Sequence, residues 1–310
     1  MAVKIAIVGY GSAGRQHVKT LLDINNYASL YGVYEKNPML QTDSVYRFPS
    51  WKELLSNPDV NAISLCLPPG GRANMAIEAL KAGKSVLLEK PPCTTEKELD
   101  QLLKAANDAH QTIGIMFQHR YRIPEEAFNI KWDHQTTAIL EVSRPRDINR
   151  YFNDWRKDPA LSFGGITAHL GIHYLDLACQ MLGEPTSFHQ AGRREYSPGI
   201  DLRTVGTIEF STGAAMSFVV TCEAEARKER LSLYGPDIRL TIEDGRSTLE
   251  SKDDLRQYPV NSTHEMRKLL YMDFATSIKN KTQPERCHLQ GARGVTRLLE
   301  QIAMNGGIHI

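Results

Sequence analysis

Cysteine is scarce in this 310-residue chain: Cys66, Cys93, Cys179, Cys222 and Cys287 are scattered, odd in number and never spaced as CxxC. That spacing argues against a disulfide framework and a cysteine-rich zinc site, and reduced thiols suit a cytoplasmic location. No apolar run approaches the length of a membrane span, so no membrane partner is expected. Neither sign of charge is in excess. The formal net charge is +1, with no broad basic field for nucleic acid and no acidic tail for a basic partner. Internal repeats and low-complexity tracts are missing. The N-terminus enters a strand at once, which leaves no room for a signal peptide. What remains is 41% hydrophobic and 24% charged, a soluble globular composition with length for two domains.

The chain is organised around its opening stretch. Val3-Lys4-Ile5-Ala6-Ile7-Val8 is apolar but for Lys4 and rich in β-branched residues, as a buried parallel strand requires. Gly9-x-Gly11-x-x-Gly14 follows, and then a helix-compatible run from Gln16 to Leu22. This is the strand, turn and helix of a dinucleotide-binding unit. Gly9 allows the tight turn, Gly11 lets backbone approach a pyrophosphate, and Gly14 lets helix pack on strand. The helix start offers N–H groups and partial positive charge to phosphates. A second strand, Ser29 to Tyr34, ends at Glu35, close to the roughly 20-residue spacing expected for a ribose-binding carboxylate.

Further along, Ser50 and Glu53 form a capping box for a short helix. Strands are expected at Val60 to Leu67, Ser85 to Leu88 and Thr112 to Phe117. Helices are expected at Arg72 to Ala82, closed by Gly83, and from Thr95 to about His110. Alternating strands and helices argue for an α/β fold with a parallel sheet covered on both faces, and for a ligand at the carboxyl ends of its strands. The turns Pro68-Pro69-Gly70-Gly71 and Glu89-Lys90-Pro91-Pro92 fall at those ends. The second half reads differently. A strand at Thr136 to Ser143 and a helix from Gly165 to Leu182 precede two hairpins, Thr204–Phe210 with Ala214–Cys222 and Arg230–Tyr234 with Arg239–Ile242. Two helices, roughly His264 to Lys279 and Gln290 to Met304, end the chain. The division expected is 1–120 for the nucleotide-binding domain and 121–310 for an α+β domain of substrate binding and oligomerisation.

These residues resemble the glucose–fructose oxidoreductase/inositol dehydrogenase/MocA group of NAD(P)-dependent oxidoreductases over nearly the whole chain. The marks are the glycine triplet, the Glu89-Lys90-Pro91 turn, Trp155-Arg156-x-Asp158-Pro159, Gly164-Gly165 and Gly171-Ile172-His173-Tyr174-Leu175-Asp176. The resemblance implies a Rossmann-type domain followed by a domain with an open, mainly antiparallel sheet, with substrate between that sheet and the nicotinamide. It implies a homodimer or homotetramer. It implies Lys90 and His173 as catalytic residues in the oxidation of a sugar-type secondary alcohol. Histidine titrates near neutral pH and suits proton removal, and an ammonium stabilises charge on the reacting oxygen. The segment from Trp155 to Gly164 is also similar to nucleotide-sugar 3-dehydrogenases of surface-polysaccharide synthesis. A dinucleotide-sensing regulator with the same fold and no chemistry is the alternative.

The expected cofactor contacts are Gly9, Tyr10, Gly11, Ser12, Ala13, Gly14, Glu35, Lys36, Leu67, Pro68, Glu89, Lys90 and Gln118. Glu35 repels a 2′-phosphate and favours NAD, while Lys36 beside it keeps NADP as the alternative. Arg120, Trp155, Arg156, His169 and His173 are the expected substrate contacts, with His119, Tyr121, Arg122 and Tyr151 open to that cleft or to packing. Two positions depart from the family. His169 stands where relatives carry Asp or Asn, so His169 shares the general-base assignment with His173. Arg72 stands where a histidine is common, and either pairs with an anion or lies on the helix surface. His169 and His173 are also i,i+4 with Asp176 one turn on, a zinc-compatible spacing, but no metal is expected.

Overall fold

The computed structural model describes residues 1–42 and 45–304. In chain order the first elements are β1 Val3–Val8, α1 Ser12–Asp23, β2 Ala28–Tyr34, α2 Trp51–Ser56, β3 Ala62–Leu65, α3 Arg72–Lys81, β4 Ser85–Leu88, α4 Glu96–Asp108 and β5 Ile113–Ile115. Then come β6 Thr137–Ser143, α5 Ile148–Tyr151, α6 Pro159–Ser162 and α7 Ile172–Leu182. A run of strands follows: β7 Pro185–Ser197, β8 Ile200–Phe210, β9 Ala215–Thr221, β10 Lys228–Tyr234, β11 Ile238–Glu243, β12 Arg246–Ser251 and β13 Leu255–Tyr258. Helices α8 Thr263–Asn280 and α9 Arg293–Met304 close the described chain.

The chain divides into two compact units. The first comprises Met1–Cys93, Lys97–Gln118 and Thr263–Gly291. Its five-stranded sheet has the order β2-β1-β3-β4-β5 and every pair is parallel. β3 and β4 are buried along their whole length, and β1 exposes only Lys4, as expected of strands covered on both faces. Parallel strands bring the turns after β1, β3 and β4 to one edge of the sheet. Ser50 caps α2 by accepting the Glu53 N–H at 3.1 Å, as the capping box requires.

A single cut at residue 120 does not describe this unit. Helix α8 belongs to it, although it follows the whole second sheet in sequence. The stripe Met266, Leu270, Tyr271 and Phe274 is buried, and Arg267 donates to Gln16 of α1 at 2.8 Å. Helical spacing made α8 legible as a helix but carried no information on which sheet it covers.

The second unit comprises Thr94–Glu96, His119–Ser262 and the residues from Ala292 onward. Its eight-stranded sheet has the order β13-β12-β11-β10-β6-β9-β8-β7. Only β6 and β9 pair in parallel, and the rest is antiparallel. β8 buries alternate residues over much of its length, Thr204, Ile208 and Phe210 among them, because one face is packed and the other is not. The hairpins β8–β9 and β10–β11 stand where the turn signals put them, and β7, β12 and β13 extend the sheet beyond them.

The helix expected from Gly165 to Leu182 is not uniform. Thr167–Gly171 is a π turn, and regular α-helix begins at Ile172. A Cβ on Gly165 would stand 2.1 Å from the Asp201 carbonyl oxygen, and one on Gly171 would stand 2.8 Å from Val220. The Asp201 carboxylate, buried on β8, accepts from the N–H of Gly165 and Thr167 at 2.9 Å each and from the Thr167 hydroxyl at 2.6 Å. One side chain thus satisfies donors that a helix start leaves open.

Candidate active site

In the first unit the glycine turn connects β1 directly to α1. Gly9 has φ +87°, and a Cβ there would meet the Cys66 carbonyl oxygen at 2.7 Å. A Cβ on Gly14 would lie 2.0 Å from the Gly9 carbonyl oxygen, so helix and turn touch backbone to backbone. At Gly11 a Cβ would meet nothing within 4 Å, and no side chain caps the helix start there. Open space over uncapped N–H groups is the cradle a pyrophosphate needs. Ser12 on this rim is exposed and Ala13 half-buried, while Tyr10 is buried.

Glu35 is held at this turn. Its Oε2 accepts the Tyr10 N–H at 2.7 Å and its Oε1 accepts the Asn37 N–H at 2.9 Å. The carboxylate charge is therefore fixed beside the glycine turn, whereas Lys36 is exposed. Arg47 does not neutralise it: its guanidinium donates to the carbonyls of Glu35, Asn37, Pro38 and Leu40. At the end of β5, Gln118 is buried and its Oε1 has no hydrogen-bond donor among the described residues. An open glycine cradle, a fixed carboxylate and an unmet buried acceptor fit an NAD molecule, with Glu35 positioned to accept ribose hydroxyls.

Leu67 and Pro68 after β3, and Glu89 and Lys90 after β4, lie on the same sheet edge. Glu89 is the hub of a buried polar chain. Its Oε1 takes a hydrogen bond at 2.9 Å from His17 Nε2, and its Oε2 accepts the Lys90 N–H at 3.0 Å. His17 Nδ1 faces the Tyr271 hydroxyl at 2.7 Å and Ser64 Oγ at 3.1 Å. Burial lowers the His17 pKa, so the ring is neutral, with its proton on Nε2 toward the carboxylate. Burial pulls Glu89 upward, but the His17 hydrogen bond and the cations Lys90 and Arg72 outweigh it and bring its pKa down to about 2.

Arg72, read from sequence as an anion binder or a surface residue, is neither. It is 2% exposed, and its guanidinium donates to the carbonyls of Leu67, Glu89 and Pro91. Burial lowers its pKa to about 10, which leaves it a cation at neutral pH. His17 carried a signal that went unread: with Gly14, Val18 and Leu21 it falls on the buried stripe of α1.

In the second unit the π turn and α7 carry the two expected histidines, and both are buried. His169 Nε2 donates to the Ser162 carbonyl at 3.1 Å, which fixes its tautomer. Its ring meets Trp155 edge-on at 5.4 Å and Tyr151 at 6.2 Å between centroids. The Arg156 guanidinium lies 4.8 Å from the Trp155 ring centre and 5.0 Å from that of Tyr151, and it pairs with Asp154. His169, Trp155 and Arg156 are thus brought together. His173 instead stacks on His119, with centroids 4.1 Å apart.

One expected substrate contact finds its partner elsewhere. The Arg120 guanidinium, expected at substrate, grips Asp176 through two parallel hydrogen bonds of 2.8 and 2.7 Å, with both residues buried. Asp176 is thereby committed to a buried ion pair with Arg120. The π turn also breaks the regular i,i+4 register on which a His169–His173 zinc pair depends. Among the described residues no group of three or more His, Cys, Asp or Glu is placed to hold a metal ion.

Comparison with known proteins places the chain in a family. Residues 3–117 match an oxidoreductase family with an NAD-binding Rossmann fold, and residues 134–241 match the GFO/IDH/MocA C-terminal domain. Levoglucosan dehydrogenase of Pseudarthrobacter phenanthrenivorans is 26% identical over 49% of this chain, and the matched part is 42% of that relative's length. scyllo-Inositol 2-dehydrogenase (NAD(+)) of Bacillus subtilis is 26% identical over 77% of this chain and 71% of its own. Among solved structures, levoglucosan dehydrogenase in complex with NADH and levoglucosan superposes with a TM-score of 0.86 at 16% identity, covering 98% of this chain and 96% of that one. UDP-N-acetylglucosamine 3-dehydrogenase from Acidithiobacillus ferrooxidans gives 0.82 at 19% identity, covering 98% and 97%. With both of its halves matched in order, the chain belongs to the GFO/IDH/MocA family of NAD-binding oxidoreductases.

Proposed function

We propose that this chain is an NAD-dependent dehydrogenase that oxidises a secondary alcohol of a sugar, polyol or nucleotide sugar. The observation that carries the reading is the shared sheet edge. The glycine turn after β1, the fixed carboxylate of Glu35 and the Lys90 turn after β4 all belong to it. Relatives named for levoglucosan, scyllo-inositol, glucosides and UDP-N-acetylglucosamine support the substrate class.

Oxidising the alcohol removes a hydride from carbon and a proton from oxygen. NAD, held by the open glycine turn and Glu35, would supply the hydride acceptor. The chain supplies the rest. The Lys90 ammonium stabilises negative charge as it grows on the alcohol oxygen. His173 accepts the proton, its ring plane fixed by the stack on His119. His169 is the weaker candidate for base, because its Nε2 proton is engaged by the Ser162 carbonyl. It orients substrate instead, with Trp155 offering an apolar face and Arg156 a cation. Glu35 excludes a 2′-phosphate by like charge, which favours NAD over NADP.

The same reading includes assembly as a homodimer or homotetramer through the open face of the eight-stranded sheet, on which Ile139 is half-exposed. It includes action in the cytoplasm, where the five cysteines, none of them in a disulfide, stay reduced. No helix among the described residues is long and apolar enough to cross a membrane.

The test is turnover of NAD against a panel of sugars, polyols and nucleotide sugars by the wild type and Lys90→Met. Turnover that the substitution abolishes is expected. Stoichiometric NAD binding without turnover on any member would favour a dinucleotide-sensing regulator instead.

A further inference from the structure

The turn that carries Lys90 is gripped on both sides by charged groups, Arg72 buried and Glu89 partly so, and the reaction steps proposed above do not use them. Arg72 is the first. It stands in the first turn of α3, where a cation opposes the helix dipole. It is buried, yet it forms no ion pair within 4.0 Å among the described residues. Its donors go to backbone instead: Nε to the Leu67 carbonyl at 3.0 Å, one terminal nitrogen to Leu67 again, and the other to both Glu89 and Pro91. The two carbonyls that flank Lys90 thus share one guanidinium nitrogen. Glu89 is the second group. It takes the Lys90 N–H on one oxygen while His17, backed by Tyr271 and Ser64, fixes the other.

A buried arginine is costly to hold, and three carbonyls in a fixed triangle match its planar fork as no ammonium or imidazole does. A role in stability alone would be served as well by apolar packing. What this arrangement adds is a fixed backbone under one side chain.

We propose that Arg72 is a positioning residue for Lys90: by binding the carbonyls of Glu89 and Pro91, and tying them to Leu67 across the edge, it fixes the backbone from which the ammonium reaches the reacting oxygen. The inference rests on the reading of Lys90 as catalytic. A misplacement of ~1 Å at a reacting group lowers the rate about 100-fold, so the grip is a direct control on kcat.

The experiment is a double-mutant cycle of Arg72→Lys with Lys90→Ala. Rates are taken in single turnover at enzyme excess, so that residual activity stays readable. NADH affinity and melting temperature are measured alongside, and the isotope effect is read with substrate deuterated at the carbinol carbon. Lysine keeps the charge but cannot span three carbonyls. Arg72→Lys is expected to lower the rate about 10- to 100-fold. NADH affinity should stay within about twofold of wild type, and the isotope effect should rise. In the Lys90→Ala background the same substitution should change the rate less than about twofold, because no ammonium is left to position. Arg72→Gln, which keeps amide donors but lacks the planar fork, should behave the same way, and it serves if Arg72→Lys does not fold. Equal losses in both backgrounds, or a fall in NADH affinity that accounts for the loss, would overturn this proposal while leaving Lys90 catalytic. Full turnover by Lys90→Ala alone would overturn the parent reading, and this one with it.

Discussion

Two alanine substitutions three residues apart should separate the glycine turn's structural work from its cofactor work. At Gly14 an added Cβ stands 2.0 Å from the Gly9 carbonyl oxygen, where real Cβ contacts do not fall below 3.0 Å. Turn and helix must part by about 1 Å, and overpacking of this kind costs about 1–3 kcal/mol, the upper end applying where both partners are backbone. Ala in place of Gly inside a helix returns roughly 1 kcal/mol. Gly14→Ala should therefore lose roughly 1–2 kcal/mol, a fall in melting temperature of about 2–8 °C. At Gly11 the backbone is ordinary, φ −72° and ψ −160°, and the Cβ meets nothing within 4 Å. The poorer helix cap costs about 1 kcal/mol, and the stiffer unfolded chain offsets most of it. Gly11→Ala should melt within about 2 °C of wild type. Its methyl group fills the space reserved for the pyrophosphate, so NADH affinity should drop at least about tenfold. Differential scanning fluorimetry and NADH fluorescence titration read the two quantities. Wild-type NADH affinity in Gly11→Ala, or wild-type stability in Gly14→Ala, would refute the reasoning.

Other consequences follow from charge and burial. Glu35→Ala removes the fixed carboxylate at the Tyr10 N–H and should narrow the preference for NAD over NADP by about tenfold or more, read from kcat/KM with each cofactor. Stability should fall in acid in two stages. Below about pH 6.5 the unfolded chain protonates His17 while the folded chain, where burial depresses that pKa, does not. Below about pH 4.5 the depressed carboxylate of Glu89 adds a further loss. Urea midpoints measured across pH should show both stages, and Glu89→Gln should flatten the lower one. Arg120→Met strands the buried Asp176 carboxylate and should destabilise by about 3–5 kcal/mol in urea unfolding, with Asp176→Asn in the same chain recovering part of it.

What could be read from the sequence was what short spacing encodes. The glycine turn, Glu35, the capping box at Ser50 and the parallel first sheet each depend on residues within one or two elements of one another, so period and punctuation reveal them. Partners that lie far along the chain were not legible. Arg120 finds Asp176 across 56 residues, and Asp201 closes the π turn from 34 to 36 residues away. Helix α8 covers the first unit after the chain has built all of the second sheet. Arg72 read equally as an anion binder or a surface residue, because a lone arginine in the sequence says nothing of its burial. Its partners turned out to be carbonyls, which leave no trace in a sequence. His169 was legible as a candidate, but the π turn beneath it was not, because that turn arises where Gly165 and Gly171 press on β8 and β9.

The claim under all of this is that hydride passes from a carbinol carbon to NAD on this chain. Its most direct measurement uses a substrate from the turnover panel carrying deuterium at that carbon, with the nicotinamide product examined by mass spectrometry and NMR. The account predicts one deuterium at the nicotinamide C4 per alcohol oxidised, and none when Lys90 is replaced by Met. Deuterium appearing in solvent, or product formed with the nicotinamide unlabelled, would contradict it.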